Sequence, residues 1–129
     1  MDILKVKTNN KEEIVDITSQ IRNIIKNKNG NACLVYSKHT TASIIINEND
    51  DSKVGEDILH SLDELVPRNN GWKHRCDKDN AHAHVKSSFL GPSKLIPIKN
   101  GKLELGRWQG IFLVELDGPR EREVAVNIL

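Results

Sequence analysis

The sequence predicts a β-rich α+β layer fold, and three observations carry that expectation. Short runs dense in β-branched and apolar residues outnumber helix-periodic segments about four to one. Turn signals such as Asn9-Asn10, Gly91-Pro92 and Asn100-Gly101 separate them. The two helical segments are too few for a doubly wound sheet, and no internal repeat or low-complexity stretch is present. With 129 residues and nothing resembling a linker, residues 1–129 are expected to form a single domain.

The elements follow in order. Ile3 to Lys7 and Glu13 to Ile17 flank Asn9-Asn10 and read as a hairpin. Thr18 is placed to cap a short helix whose Ile21, Ile24 and Ile25 share a face, with Gly30 closing it. Ala32 to Tyr36 and Ser43 to Asn47 read as two strands buried on at least one face. Asp50, Asp51 or Ser52 can cap a longer helix with Val54, Ile58, Leu62 and Leu65 in one stripe, stopped by Pro67. Residues 67–81 are polar and aperiodic, a long loop of the kind that often carries function. The remainder reads as strands: Val85 to Leu90, Leu95 to Ile98, an Asn100-Gly101 hairpin turn into Leu103 to Leu105, Ile111 to Leu116, and Glu123 to Ile128 after the turn Asp117 to Arg120.

Composition narrows the function. Nineteen basic and eighteen acidic side chains leave a net charge of +1, so no global field holds nucleic acid by counterion release. Five aromatic residues give little material for a base-stacking platform. Met1 to Gln20 holds no apolar leader and no segment approaches a membrane span, so a soluble cytoplasmic protein with no nucleic-acid or membrane partner is expected. Cys33 sits in an apolar run and reads as a buried thiol. Cys33 and Cys76 form no Cys-x-x-Cys pair, which disfavours a zinc finger or a disulfide framework.

Chemistry concentrates in three stretches. Ser37 to Ser43 places His39 beside Thr40 and Thr41 where a strand meets a turn; the histidine suits a base or ligand and the hydroxyls suit phosphate oxygens, although threonine at a strand end is also ordinary β chemistry. His82 and His84, two apart, would point to one side of an extended chain, either bridging a metal or lining a polar strand face. His74 would supply a third nitrogen if its loop folds back. His60 falls off the apolar stripe of its helix and reads as solvated surface. Glu48, at the far end of the strand that follows His39, brings a carboxylate for acid/base work or Mg²⁺, while Asp50 reads more simply as a helix cap. Lys86 and Arg120 suit a phosphate, with a salt bridge as the plain alternative for Arg120. Trp108 and Gln109, between Gly106 and Gly110, place a large ring at a strand entrance, where packing is the competing explanation.

The ordered set His39-Thr40-Thr41-Ala42, Asn47-Glu48-Asn49-Asp50, Leu65-Val66-Pro67, His74, Asn80-Ala81-His82-Ala83-His84, Gly91-Pro92-Ser93, Leu105 to Gly110 and Glu115 to Arg120 resembles the YjbQ family, often labelled secondary thiamine-phosphate synthase. Arg107 stands where threonine is common, and His82 occupies a variable position of its motif, which points to His84 as the functional histidine. The resemblance implies a two-layer, β-sandwich-like α+β subunit with two helices, assembled as a homotrimer with sites near subunit boundaries. It also implies a transferase activity, secondary to the main role, that condenses an aminopyrimidine methyl diphosphate with a thiazole phosphate and releases diphosphate.

On these residues the expected site has His39, His74 and His84 holding a divalent metal, zinc or magnesium. His39 and Glu48 are its catalytic groups, and Thr40, Thr41, Lys86, Trp108, Gln109 and Arg120 contact a phosphorylated small-molecule substrate. A metal-dependent hydrolase and a non-catalytic homotrimeric metal-binding protein are the alternatives.

Overall fold

Alternation along Gln109–Glu115 organises the molecule. Ile111 and Leu113 enter one apolar cluster while Phe112 and Val114 enter another, so this strand, β7, is buried on both faces. The computed structural model describes residues 1–74 and 79–129, and Cys76 lies outside the described residues.

β7 is the centre of a three-stranded antiparallel sheet, between β2 (Glu13–Asp16) and β4 (Ala42–Glu48). A five-stranded sheet faces it, ordered β1 (Asp2–Lys7), β8 (Glu121–Ile128), β3 (Ala32–Ser37), β5 (Ser93–Lys99) and β6 (Lys102–Leu103). Between the sheets, Cys33, Val35, Ile96, Val124 and Val126 meet Ile44, Ile111 and Leu113, joined by Ile21 and Ile25 of α1 (Thr18–Ile25). On the outer face of the smaller sheet lie α2 (Ser52–Leu65) and α3 (Ala81–Leu90). Their Ile58, Leu59, Ala83 and Leu90 cover Ile45, Phe112 and Val114. The β-rich α+β class holds.

Four local expectations are corrected. β1 and β2 do not form a hairpin: β1 pairs with β8 and β2 with β7, so residues between them cross from one sheet to the other. Glu13 ties that crossing by accepting from the Asn9 and Asn10 amides at 2.5 and 3.3 Å. Val85 to Leu90, expected as a strand, belongs to a helix that spans Ala81–Leu90. Its buried residues include His82, Lys86 and Ser87, so the hidden face carries polar side chains and hydrophobic periodicity fails to mark it. Thr18 starts α1 without capping it; its own N–H donates to Asp16 Oδ1 at 2.9 Å. Gly30 is not the helix terminus either, since α1 ends at Ile25. A Cβ at Gly30 would stand 2.2 Å from Ile128, which is why the position is glycine.

Other expectations are met. Of the three cap candidates Asp51 caps α2, accepting from the Lys53 amide at 2.9 Å, so the cap reading of Asp50 is corrected by one position. The helix ends before Pro67, although Leu65 is exposed and the buried contact is made by Leu62. Ile98 pairs with Leu103 and Lys99 with Lys102 across a two-residue turn in which Asn100 and Gly101 have φ of 53° and 74°. Cys33 is buried, and burial pushes its thiol up to about 11.

Candidate functional site

β3 ends in one sheet and β4 begins in the other, so residues 38–41 must bridge them. This bridge is strapped at several points. Ser37 Oγ donates to the Ala42 carbonyl at 2.7 Å and accepts from the His39 amide at 3.3 Å, while the Leu116 amide donates to the Thr41 carbonyl at 3.1 Å. Thr41 is buried and its hydroxyl accepts from Arg122 at 2.9 Å, whereas Thr40 is exposed.

His39 is held at the ring. Its Nε2 accepts from the Glu123 backbone N–H at 2.8 Å. A neutral imidazole carries one proton, so this bond places that proton on Nδ1. Burial lowers the His39 pKa, and the Arg122 charge lowers it further against the opposing carboxylates of Glu115 and Glu123. Protonating Nε2 would also set two donors against each other. His39 is therefore a neutral Nδ1–H donor at pH 7. In this arrangement neither nitrogen is free to ligate a metal or to accept a proton.

His39 lines a cleft of about 300 Å³ with Thr40, His84, Ser87, Ser88 and Pro92. Ser87 Oγ lies 2.8 Å from Ser43 Oγ, a buried hydroxyl pair linking α3 to β4. His74 meets His84 edge to face, with ring centroids 5.0 Å apart at 76°. The structure thus brings His39, Thr40 and His84 to one cleft and His74 onto His84. His82, buried on the core side of α3, does not share the His84 side; two residues along a helix is more than half a turn. Its Nδ1 has no partner among the described residues, and burial, then the Lys86 charge, lowers its pKa.

Two imidazoles in contact can share one metal ion, but the three-histidine centre is not assembled. Among the described residues no three His, Cys, Asp or Glu side chains come together to hold a metal.

The remaining expected residues do not line this cleft. Lys86 is fully buried and ion-paired with Glu12 at 2.8 Å and with Asp63. Burial would lower its pKa, yet these two carboxylates raise it, so it is a structural cation with no access to a phosphate. Arg120 donates from Nε to the Asp117 carbonyl at 3.0 Å and from a terminal nitrogen to the Asp117 carboxylate at 2.9 Å; it is tied to its turn and only part-exposed. Glu48 ends β4, opposite Gln109. Seven extended residues separate it from the His39 end by on the order of 20 Å, so it does not reach His39 within the protomer. Trp108 and Gln109 sit at that same far end: the Trp108 carbonyl accepts from the Asn49 amide at 3.0 Å, Arg107 stacks on the Trp108 ring at 4.9 Å, and Gln109 Oε1 accepts from the Gly106 amide at 2.8 Å. His60 pairs on the surface with Glu64 at 3.1 Å, as its position off the apolar stripe suggests.

Sequence reasoning missed the pair beneath His39. Arg122 and Glu115, 1% and 0% exposed, form an ion pair in which Arg122 Nε donates to Glu115 Oε2 at 2.8 Å. Glu115 also accepts from Thr8 Oγ1 at 2.8 Å and the Asp117 amide at 3.0 Å. Burial would raise its carboxyl pKa, but these bonds, led by Arg122, hold it below the usual range. A carboxylate closing the apolar run Ile111 to Val114, and an arginine entering the run from Val124, were the available signals.

With this geometry in view, the comparisons are direct. Residues 2–129 match the family described as UPF0047 protein YjbQ-like. A UPF0047 protein of Methanocaldococcus jannaschii is 49% identical over 97% of this chain and 91% of its own, and the YugU protein of Bacillus subtilis is 40% identical over 98% and 96%. The crystal structure of an uncharacterised YjbQ/UPF0047 protein from Clostridium acetobutylicum, 42% identical, aligns over 100% of both chains with a TM-score of 0.94. A protein of unknown function from Sulfolobus solfataricus, 43% identical, aligns over 98% of this chain and 94% of its own with a TM-score of 0.93. Matched over residues 2–129 and superposing on a solved member along its whole length, the chain belongs to the YjbQ-like UPF0047 family.

Proposed function

We propose that the His39 cleft belongs to an enzyme acting on phosphorylated small molecules, with thiamine phosphate formation as its nameable reaction. The observation that supports this reading best is the Glu123 amide on His39 Nε2, which leaves Nδ1–H as a fixed donor. Thr40 lies beside it, and no carboxylate is among the described residues lining the cleft. Such a site suits an anion. In the condensation, the C–O bond of an aminopyrimidine methyl diphosphate breaks as the thiazole nitrogen bonds the methylene carbon. His39 Nδ1–H and the Thr40 hydroxyl donate to the departing diphosphate oxygens, where charge develops. Burial, and after it the Arg122 charge, favours the neutral ring that this donor role requires.

The test is release of diphosphate and thiamine phosphate from the two substrates by the purified chain. Loss of one preorganised donor costs about 10²- to 10³-fold in turnover, so His39→Ala, which carries no donor, is expected to fall by that order. Absence of product from the unaltered protein, or full activity in His39→Ala, refutes the reading.

A second reading, a hydrolase using metal-held water, rests on the His74–His84 contact. A divalent ion there, zinc by the preference of imidazole, would supply an activated water and charge neutralisation. Elemental analysis of protein purified without chelator decides it: stoichiometric zinc lost in His84→Ala supports it, and unchanged metal content removes it. Homotrimeric assembly, cytoplasmic location and lack of nucleic-acid binding complete the proposal, with the mass in solution testing the first. Among the described residues no helix is long and apolar enough to cross a membrane.

A further inference from the structure

A second concavity, unrelated to the His39 cleft, opens between α2 and the outer face of the three-stranded sheet. Its volume is about 510 Å³, within the range of small-molecule sites. The floor is apolar, formed by Ile45 and Phe112 of the sheet and Ile58 of α2, and Gly55 leaves it deep on the helix side. The rim is acidic. Some carboxylates there are already engaged: Glu12 by the Lys86 ammonium, Glu13 by the Asn9 and Asn10 amides, Asp16 by Thr18, Asp51 by the α2 cap. The carboxylates of Glu48, Asp50 and Glu56 bond no described residue, and no Lys, Arg or His is among the described residues lining the groove. In a chain of net charge +1, these three carboxylates set unpaired negative charge around an apolar floor.

Shape and charge together select one kind of occupant. A neutral apolar ligand would leave the carboxylates unpaired, and an anion would be repelled. We propose that this groove binds a small organic amine, its apolar ring on the Ile45, Phe112 and Ile58 floor and its ammonium at the Glu48, Asp50 and Glu56 rim.

Titration calorimetry of the full chain with tryptamine, its neutral analogue tryptophol and its anionic analogue indole-3-propionate tests this. Tryptamine is expected to bind, tryptophol about tenfold more weakly for want of a charge-assisted contact, and the acid not at all. Tryptamine affinity should fall with added salt. The double variant Glu48→Gln, Glu56→Gln removes like charges without removing any observed bond, so it keeps its fold and is expected to lose about tenfold in affinity. Gly55→Met fills the floor; its Cβ would begin 3.5 Å from Ile14, an ordinary contact, and binding should disappear. Equal binding of amine and alcohol, no binding of tryptamine, or unchanged affinity in the double variant overturns the proposal. So does a second copy of the chain as occupant, revealed by a lower mass in solution for Gly55→Met.

Discussion

Replacing Arg122 with Met keeps much of the side-chain volume but strands a carboxylate. Glu115 is 0% exposed, and Arg122 donates to both of its oxygens as well as to Thr41 Oγ1 and the Thr41 carbonyl. Breaking a buried pair from one side costs about 3 to 5 kcal/mol, because the remaining charge keeps its desolvation penalty. For a domain of 129 residues this corresponds to a drop in Tm of roughly 11 to 18 °C.

The pH dependence should also invert. In the native chain Glu115 has a depressed pKa, so its contribution is present above the unfolded carboxylate value and lost as pH falls through the folded one. Without Arg122, burial dominates and raises that pKa, so Arg122→Met should regain stability on acidification from pH 7 toward 5, and Arg122→Met with Glu115→Gln should recover part of the loss. Urea denaturation at fixed protein concentration reads all of these. A loss below about 1 kcal/mol, the value of an exposed pair, would show that the charge is not stranded and refute the reasoning.

Three further outcomes follow from the same structure. Lys86→Met is expected to cost less than Arg122→Met in the same denaturation series, because its partners Glu12 and Asp63 retain 21% and 57% side-chain exposure and can be hydrated. His39 and His82 both have lowered pKa values, so the unfolded chain binds more protons below its own histidine value; stability should fall as pH drops through about 6.5, and His39→Gln, His82→Gln should flatten that slope. Gly30→Ala forces a methyl into Ile128 and the Leu129 carbonyl and should cost about 1 to 3 kcal/mol, read as a lower Cm without a change in m.

The legible parts of the fold are those where one local signal suffices. Asn100-Gly101 specifies its turn because both residues tolerate positive φ, and the run Asp50-Asp51-Ser52 marks the start of α2 without saying which of the three caps it. Helix α3 was illegible because its buried face is written in His82, Lys86 and Ser87, whose partners lie as far away as Glu12 and Ser43. The β1 and β2 expectation failed at the level of sheet assignment: period-two patterning tells which face is apolar, not which sheet a strand joins.

For the site, His39, Thr40, His74 and His84 were singled out by residue type; the structure places His39, Thr40 and His84 at one cleft and sets His74 against His84 alone. Glu48 on the strand following His39 already implied separation along its length. What sequence could not supply is the role of His39, which a backbone amide 84 positions away determines.

That role is also the most direct test. Long-range ¹H–¹⁵N NMR spectra of the imidazoles at pH 7, with and without inorganic diphosphate, report which nitrogen of His39 is protonated. The account predicts a neutral ring protonated at Nδ1, with the Nδ1 resonance moving on diphosphate addition. A ring protonated at Nε2, or one whose Nδ1 ignores diphosphate, would contradict it.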